Sequence, residues 1–312
     1  MSRCGTASWR RRAWSAAWCC ASTRCSAASQ PCPRCGSASS RARPARSWAA
    51  RPRISPATSG ANTRPGDRSS AKGTSVPSEA RPASTILLLR DGAEGLEVFM
   101  VVRNRAIDFA GGALVFPGGR VEEADAALGD PFRIAAIREA FEESGLLLAR
   151  RGGDMLAEHS LPRDGDFHAV LAEHALTPAA DALVHFAHWI TPPDMPKRFD
   201  THFYLAEAPA QQIGLHDGDE AVESVWITPG QALAEAEVGQ RVLVFATRLN
   251  LVRLARFGHV AEALAGAGPV VTVCPEPFED EAGKWMRIPE AAGYGGGVFK
   301  AVGRPMRPVE PG

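Results

Sequence analysis

The sequence predicts an α/β fold over residues 83–265, and three observations carry it. Two apolar runs, Ser84–Arg90 and Leu96–Arg103, flank the turn Asp91-Gly92-Ala93-Glu94-Gly95. A segment from Pro131 onwards repeats apolar residues at helical spacing and carries carboxylates on its other face. Further strand-like runs then alternate with helical ones, the pattern of a layered α/β unit.

Taken in order, the first two runs read as a hairpin, because each is apolar and turn residues lie between them. Ala113–Phe116 is a short strand entering the turn Pro117-Gly118-Gly119. A helix is expected from Pro131 to about Ala149, with Pro131 suited to its first turn. Ile134, Ile137 and Phe141 give that helix a core face, and Gly145 sits where a helix ends and the chain turns. Residues Pro162–Leu183 read as helix or loop. Phe186–Thr191 and Thr201–Ala206 read as strands joined by the proline-rich loop 192–200, and Ser224–Ile227 as another. Helices are expected over Pro229–Glu237 and Arg241–Leu264. From Gly266 to Gly312 we expect a loosely packed extension, with a short strand at Val270–Val273 and a glycine-rich run at Tyr294–Gly297.

The head, residues 1–82, differs from this body. The first 80 residues hold 14 of the 35 basic residues and 2 of the 35 acidic ones, so net neutrality hides a basic head and an acidic body. Its Arg/Ser/Ala/Pro-rich composition lacks a periodic apolar pattern and cannot bury a core, so disorder is expected. A basic arm, an organellar targeting peptide and a mis-assigned upstream start all fit it. Six of seven cysteines lie there, and only Cys274 lies in the body, which argues for a reducing compartment rather than a disulfide framework. Cys32-Pro33-Arg34-Cys35 is a lone CxxC, a weak zinc signal. A cytoplasmic location is expected, with no membrane or nucleic-acid partner.

The chemistry concentrates in Arg138-Glu139-Ala140-Phe141-Glu142-Glu143-Ser144-Gly145-Leu146. Glu139, Glu142 and Glu143 stand at i, i+3 and i+4, on one helical face. Like charges so placed repel unless a cation joins them, and an all-oxygen cluster suits a hard divalent ion, Mg²⁺ or Mn²⁺. Arg138 reaches Glu142 at i+4 and would steady it, so its loss is expected to act mildly. Other chemistries lack support: no GxSxG, HExxH or GxxxxGK occurs, and the eight histidines are scattered. His185 and His188, three apart, would share a helical face, but they fall on an expected strand, which argues against a shared metal.

This segment resembles the Nudix box, G-x5-E-x7-R-E-U-x-E-E-x-G-U with U aliphatic. Gly119 matches its first glycine, and Arg138, Glu139, Ala140, Glu142, Glu143, Gly145 and Leu146 match its end. The middle departs: Asp125 stands where the first glutamate is expected, with twelve residues between it and Arg138 rather than seven. The residue separated from Arg138 by seven others is Asp130, so either aspartate could fill that slot. The resemblance implies an α/β/α sandwich with a mixed central sheet over Ala83–Ala265 and hydrolysis of a diphosphate within a nucleotide-type small molecule. It also implies Glu142, Glu143, Glu139 and the Gly119 carbonyl as metal ligands, with Glu139 alternatively the base.

The stretches Trp189-Ile190-Thr191-Pro192 and Pro196-Lys197-Arg198-Phe199-Asp200-Thr201 through Ala206 are similar to the motif-19-like branch of that family. Peroxisomal mammalian members of the branch cleave coenzyme A and acyl-CoA, which makes these the favoured substrates. Lys197 and Arg198 are then candidate phosphate contacts. In the CoA-type signature RSxxLRxHxGxVxFPGG, Arg103 and Gly112 match, but Asn104, Asp108 and Ala110 replace its polar and cationic positions. That leaves nucleotide sugars and dinucleotides as alternative substrates, and a non-catalytic nucleotide-binding module as the reading from another class. Glu220 and Glu223, before Trp226, resemble the later acidic stretch in which a glutamate completes the site; with Asp125 they are the candidate additional acids.

Overall fold

The computed structural model describes residues 79–104, 110–157, 160–163, 165–218 and 220–301. The expectations for residues 1–78, including Cys32–Cys35, and for Ile107 and Asp108 lie outside the described residues.

The chain opens with β1 (Arg81–Gly92), β2 (Gly95–Arg103), β3 (Leu114–Val115) and β4 (Gly118–Arg120), followed by α1 (Pro131–Ser144). Next come β5 (Ala149–Arg151), β6 (Asp154–Met155), α2 (Phe167–Glu173), β7 (Thr177–Pro178), β8 (Val184–Ile190), β9 (Phe199–Glu207) and β10 (Ala221–Ile227). Three helices follow, α3 (Pro229–Glu237), α4 (Phe245–Leu254) and α5 (Val260–Ala265), then β11 (Thr272–Val273), β12 (Glu276–Asp280), β13 (Gly283–Arg287) and β14 (Val298–Lys300).

The main sheet runs β10-β2-β1-β9-β8-β11, with β3 beside β2 and β4 beside β1. It is mixed: β1 pairs β9 in parallel and β11 pairs β8 in parallel, while the other pairs are antiparallel. Successive side chains on β1 face opposite sides, as a pleated strand requires. Leu87 and Leu89 enter one core with Leu249, Leu251, Leu254 and Val260. Ile86 and Leu88 enter another with Ile134, Ile137 and Phe141. The sheet is therefore packed between α1 and α2 on one face and α3 to α5 on the other, the expected α/β/α sandwich. Among the described residues no helix is long and apolar enough to cross a membrane.

Helix α1 has clear ends. Asp130 caps it by accepting hydrogen bonds from the Phe132 and Arg133 amides at 3.0 and 3.2 Å, satisfying donors the first turn leaves open. Gly145 closes it in the left-handed region at φ 74°, donating to the Phe141 carbonyl, where glycine avoids the Cβ penalty. The helix thus stops at Ser144, short of the expected Ala149, which instead opens β5.

Three other expectations are corrected. The helix expected over Arg241–Leu264 is two helices, broken between Leu254 and Val260, where Gly258 donates to the Glu262 carboxylate and its carbonyl accepts from the Leu96 amide. The main sheet begins at Arg81, two residues before the expected boundary. The segment after Gly266 is well packed rather than loose. Its β11 extends the main sheet, and buried Tyr294 accepts from Trp189 Nε1 at 2.9 Å and donates to Asn250 Oδ1 at 2.8 Å. Buried polar groups so paired hold their elements in one arrangement. Strands β12 to β14, absent from the sequence reading, form a separate small sheet.

Candidate active site

The turn between β3 and β4 and the acidic face of α1 meet at one cavity of about 900 Å³. Gly118 is required by space, because a Cβ there would lie 2.4 Å from the Ser84 carbonyl oxygen and 2.7 Å from Thr85 Cα. Its amide donates to Glu143 Oε2 at 3.2 Å. A Cβ on Gly119 would lie 2.4 Å from Glu139 Oε1. The two glycines let β4 run directly against the carboxylates.

Arg138 organises this end of the cavity from a buried position, 5% exposed. Its Nε and Nη2 donate to the two oxygens of Asp125 at 3.0 and 3.2 Å. Its Nη1 donates to Glu139 at 2.9 Å and to Glu142 at 3.0 Å, and Nη2 also reaches the Arg120 carbonyl at 2.8 Å. Burial alone would lower the Arg138 pKa, but the bond to Asp125 and the charges of Glu139, Asp125 and Glu142 raise it above its ordinary value. The guanidinium stays charged while it aims two carboxylates at once.

The carboxylates respond to the same burial. Desolvation pushes Glu139 up to about 7 against the opposing pull of Arg138. Desolvation, with Glu139 nearby, pushes Glu143 up to about 8. Glu142 is raised as well, chiefly by burial. Carboxylates crowded together and short of counter-charge are the environment that a bound cation relieves.

Of the residues expected from sequence, Gly119, Arg138, Glu139, Glu142, Glu143, Arg103, Lys197 and Glu220 all line the cavity. Three do not. Asp125 is fully buried against Arg138 and accepts the Glu122 amide at 2.8 Å, so it steadies Arg138 rather than facing a ligand. The two aspartates have different partners: Asp125 pairs with the arginine and Asp130 caps the helix. Glu223 is held by a two-pronged pair to Arg241, at 3.0 and 2.9 Å, away from the cavity. Arg198 turns its Nε to the Thr191 carbonyl at 3.1 Å.

The sequence reading missed Arg81, Arg120, Glu122 and Asp217, which also line the cavity. Arg81 gets there because β1 pairs with β9 in parallel, setting Arg81 beside Phe199. No local pattern signals such a pairing. Among the described residues, the buried Nε of Arg103 has no hydrogen-bond partner, although its Nη2 lies 3.7 Å from Glu220.

Comparison with known proteins gives the family. The model of the NUDT19 Nudix domain matches residues 128–246. Putative nudix hydrolase 7 of Caenorhabditis elegans is 33% identical over 221 residues, covering 65% of this chain and 70% of that protein. The chain belongs to the Nudix hydrolase family. The peroxisomal coenzyme A diphosphatase ndx-8 of the same organism is 40% identical over 77 residues, covering 25% of this chain and 30% of that protein. The crystal structure of a Nudix hydrolase from Alicyclobacillus acidocaldarius aligns with a TM-score of 0.57 at 27% identity, over 62% of this chain and 99% of that one. Nudix hydrolases act on pyrophosphate bonds and generally use divalent metal ions.

Proposed function

We propose that this Nudix hydrolase is a Mg²⁺- or Mn²⁺-dependent diphosphatase that cleaves the pyrophosphate of a nucleoside diphosphate linked to another moiety, with CoA or acyl-CoA as favoured substrate. The observation that carries the reading is the convergence of Glu139, Glu142 and Glu143 beside the Gly118-Gly119 turn, with Arg81, Arg103, Arg120 and Lys197 lining the same cavity. Carboxylates offer oxygen ligands to a hard cation, and the cationic side chains offer donors to phosphate. The partial likeness to ndx-8 supports the CoA choice.

The donor set fits the ion. It consists of carboxylates and the Gly119 carbonyl, all oxygen, and the nearly buried Glu143 accepts only a backbone hydrogen bond from Gly118. Glu142, Glu143 and the Gly119 carbonyl would hold the ion, with Glu139 a further ligand or the base. When bound, a divalent ion neutralises the charged pyrophosphate so that a nucleophile can approach phosphorus.

The protein's own groups do the rest. Glu139, held by Arg138 at the cavity, would accept the proton of the attacking water as general base. As water oxygen bonds to phosphorus, its proton passes to Glu139 and the bridging P–O bond breaks, its electrons leaving with the departing phosphate. Arg138 fixes Glu139 and Glu142 by hydrogen bonds of 2.9 and 3.0 Å. Arg103 lines the same cavity and would offer its guanidinium to a phosphate oxygen. Positioning and electrostatics supply most of the catalysis in such transfers.

A panel of CoA, acyl-CoAs, ADP-ribose, NADH and diadenosine polyphosphates with Mg²⁺ or Mn²⁺ tests the proposal, products being resolved by mass. Cleavage of CoA thioesters at the pyrophosphate, with the highest kcat/KM of the panel, is expected. Preference for ADP-ribose or NADH would move the assignment to the dinucleotide or nucleotide-sugar class. Cleavage of none would favour a nucleotide-binding module.

A further inference from the structure

A second cluster of metal-binding side chains lies on the other face of β9. Phe199 and Thr201 line the acidic cavity, and strand alternation sends Asp200 and His202 the opposite way. There His188, Asp200 and His202 bring one ligand atom each to within 4.8 Å of one another. His188 Nε2 lies 2.5 Å from Asp200 Oδ1, and His202 Nδ1 lies 3.1 Å from His185 Nε2.

The fourth side chain arrives through an irregularity in β8. Residues three apart on a regular strand face opposite sides, so His185 and His188 should diverge. Between His185 and Ala187 the register against β9 shifts, and Phe186 and Ala187 both bury in the same core. This bulge admits one extra residue and returns His185 and His188 to one face. The rings of His185 and His188 stack on His202 from centroid distances of 4.9 and 4.1 Å. His185 and His188 thus share a face that a regular strand would deny them.

We propose that His188, Asp200 and His202, with His185 beside them, form a binding site for a borderline divalent ion of the Zn²⁺ class, separate from the oxygen-lined cavity. Imidazole suits Zn²⁺, Ni²⁺ or Cu²⁺, whereas Mg²⁺ prefers oxygen. A tetrahedral zinc site has His nitrogens at about 2.0–2.1 Å from the ion, which sets neighbouring ligand atoms roughly 3.3 Å apart. The contacts of 2.5 and 3.1 Å are both shorter than that spacing, so to take up the ion the ligand atoms draw apart and the stacked rings turn towards it. The remaining nitrogen of His188 is already engaged, Nδ1 lying 2.8 Å from Thr272 Oγ1, the kind of outer contact that orients a ligating imidazole. Side chains of His188 and Asp200 are 16% and 33% exposed, which leaves the ion a way in. Because Thr272 belongs to β11, the ion would tie β8, β9 and, through His188, the sheet's last strand.

The test uses the full chain without an affinity tag, stripped with chelator and titrated with Co²⁺, whose visible absorption reports nitrogen ligation. Glu142→Gln serves as background, so that the acidic cavity contributes little. We expect one tight equivalent with a visible band, displaced by Zn²⁺ and not by Mg²⁺. His188→Gln and Asp200→Asn, each checked for native circular dichroism, should weaken it at least tenfold. Absence of a tight equivalent, or tight binding unchanged in both folded variants, would overturn the site and leave a hydrogen-bonded histidine cluster. Neither result bears on pyrophosphate hydrolysis.

Discussion

Arg138 and Asp125 form a two-pronged ion pair sealed from solvent, with Asp125 fully buried and Arg138 5% exposed. The pair joins the short helical turn after β4 to α1, and through it the positions of Glu139 and Glu142 depend on a residue that never faces the ligand. This changes what a variant should do. The sequence alone expects Arg138→Ala to act mildly by loosening Glu142. With Asp125 left buried and unpaired, it should instead cost about 3–5 kcal/mol of stability, the usual cost of stranding a buried charge. Asp125→Ala should cost a similar amount, and the double variant less than the sum. Urea denaturation of the three proteins checks this; additive losses would show that the pair is not the unit.

The two glycines of the turn should fail in different ways. Alanine at 118 meets backbone, the Ser84 carbonyl at 2.4 Å and Thr85 Cα at 2.7 Å, so Gly118→Ala should lower stability by about 1–3 kcal/mol or more, the range for forced backbone shifts. Alanine at 119 meets the end of the Glu139 side chain, at 2.4 Å. That carboxylate can swing away, so Gly119→Ala should keep its melting temperature within a few degrees while losing turnover. Calorimetry paired with kcat measurement separates the two; equal stability losses would contradict the packing argument.

Acid should weaken the β8–β9 face in metal-stripped protein. Burial, then the neighbouring charges of His188 and His185, lower His202 to about 4. Burial, His188 and Arg133 lower His185, while Asp130 acts to raise both rings. A folded pKa below the unfolded value means that the unfolded chain binds the proton more readily. The stability these rings contribute is present above about pH 6.5, the unperturbed histidine value, and is lost as pH falls towards about 4. The urea midpoint in chelator should therefore drop on going from pH 7 to 5, and drop less in His202→Phe, which keeps a ring against Phe132. An equal drop in both proteins would remove His202 as a cause.

Local signals carried the parts of this reading that concern single elements. The hairpin, the FPGG turn, helix α3 and the acidic face of α1 each rest on spacing or turn chemistry within a few residues. The box residues fell together because one helix and one turn supply them. What escaped depends on partners distant in sequence. Arg81 joins the cavity by parallel pairing with β9, and Glu223 leaves it because Arg241 claims it from beyond α3. The break between α4 and α5 is fixed by contacts of Gly258 with Leu96 across the fold. The β8 bulge, which no periodicity reveals, decides the direction of His185.

The most direct test of the central claim is turnover and Mn²⁺ affinity of Glu142→Gln, both normalised to folded protein by circular dichroism. Gln keeps the shape and helix propensity of Glu and can still accept from Arg138, so the fold should persist, while the site loses one of the charges that would hold a cation. Weakening a metal that supplies several kcal/mol of transition-state stabilisation should cut kcat/KM by roughly a hundredfold or more, with weaker Mn²⁺ binding and unchanged helix content. Wild-type turnover per folded molecule with unaltered Mn²⁺ affinity would contradict the metal-site account and leave the acidic face of α1 a structural feature only.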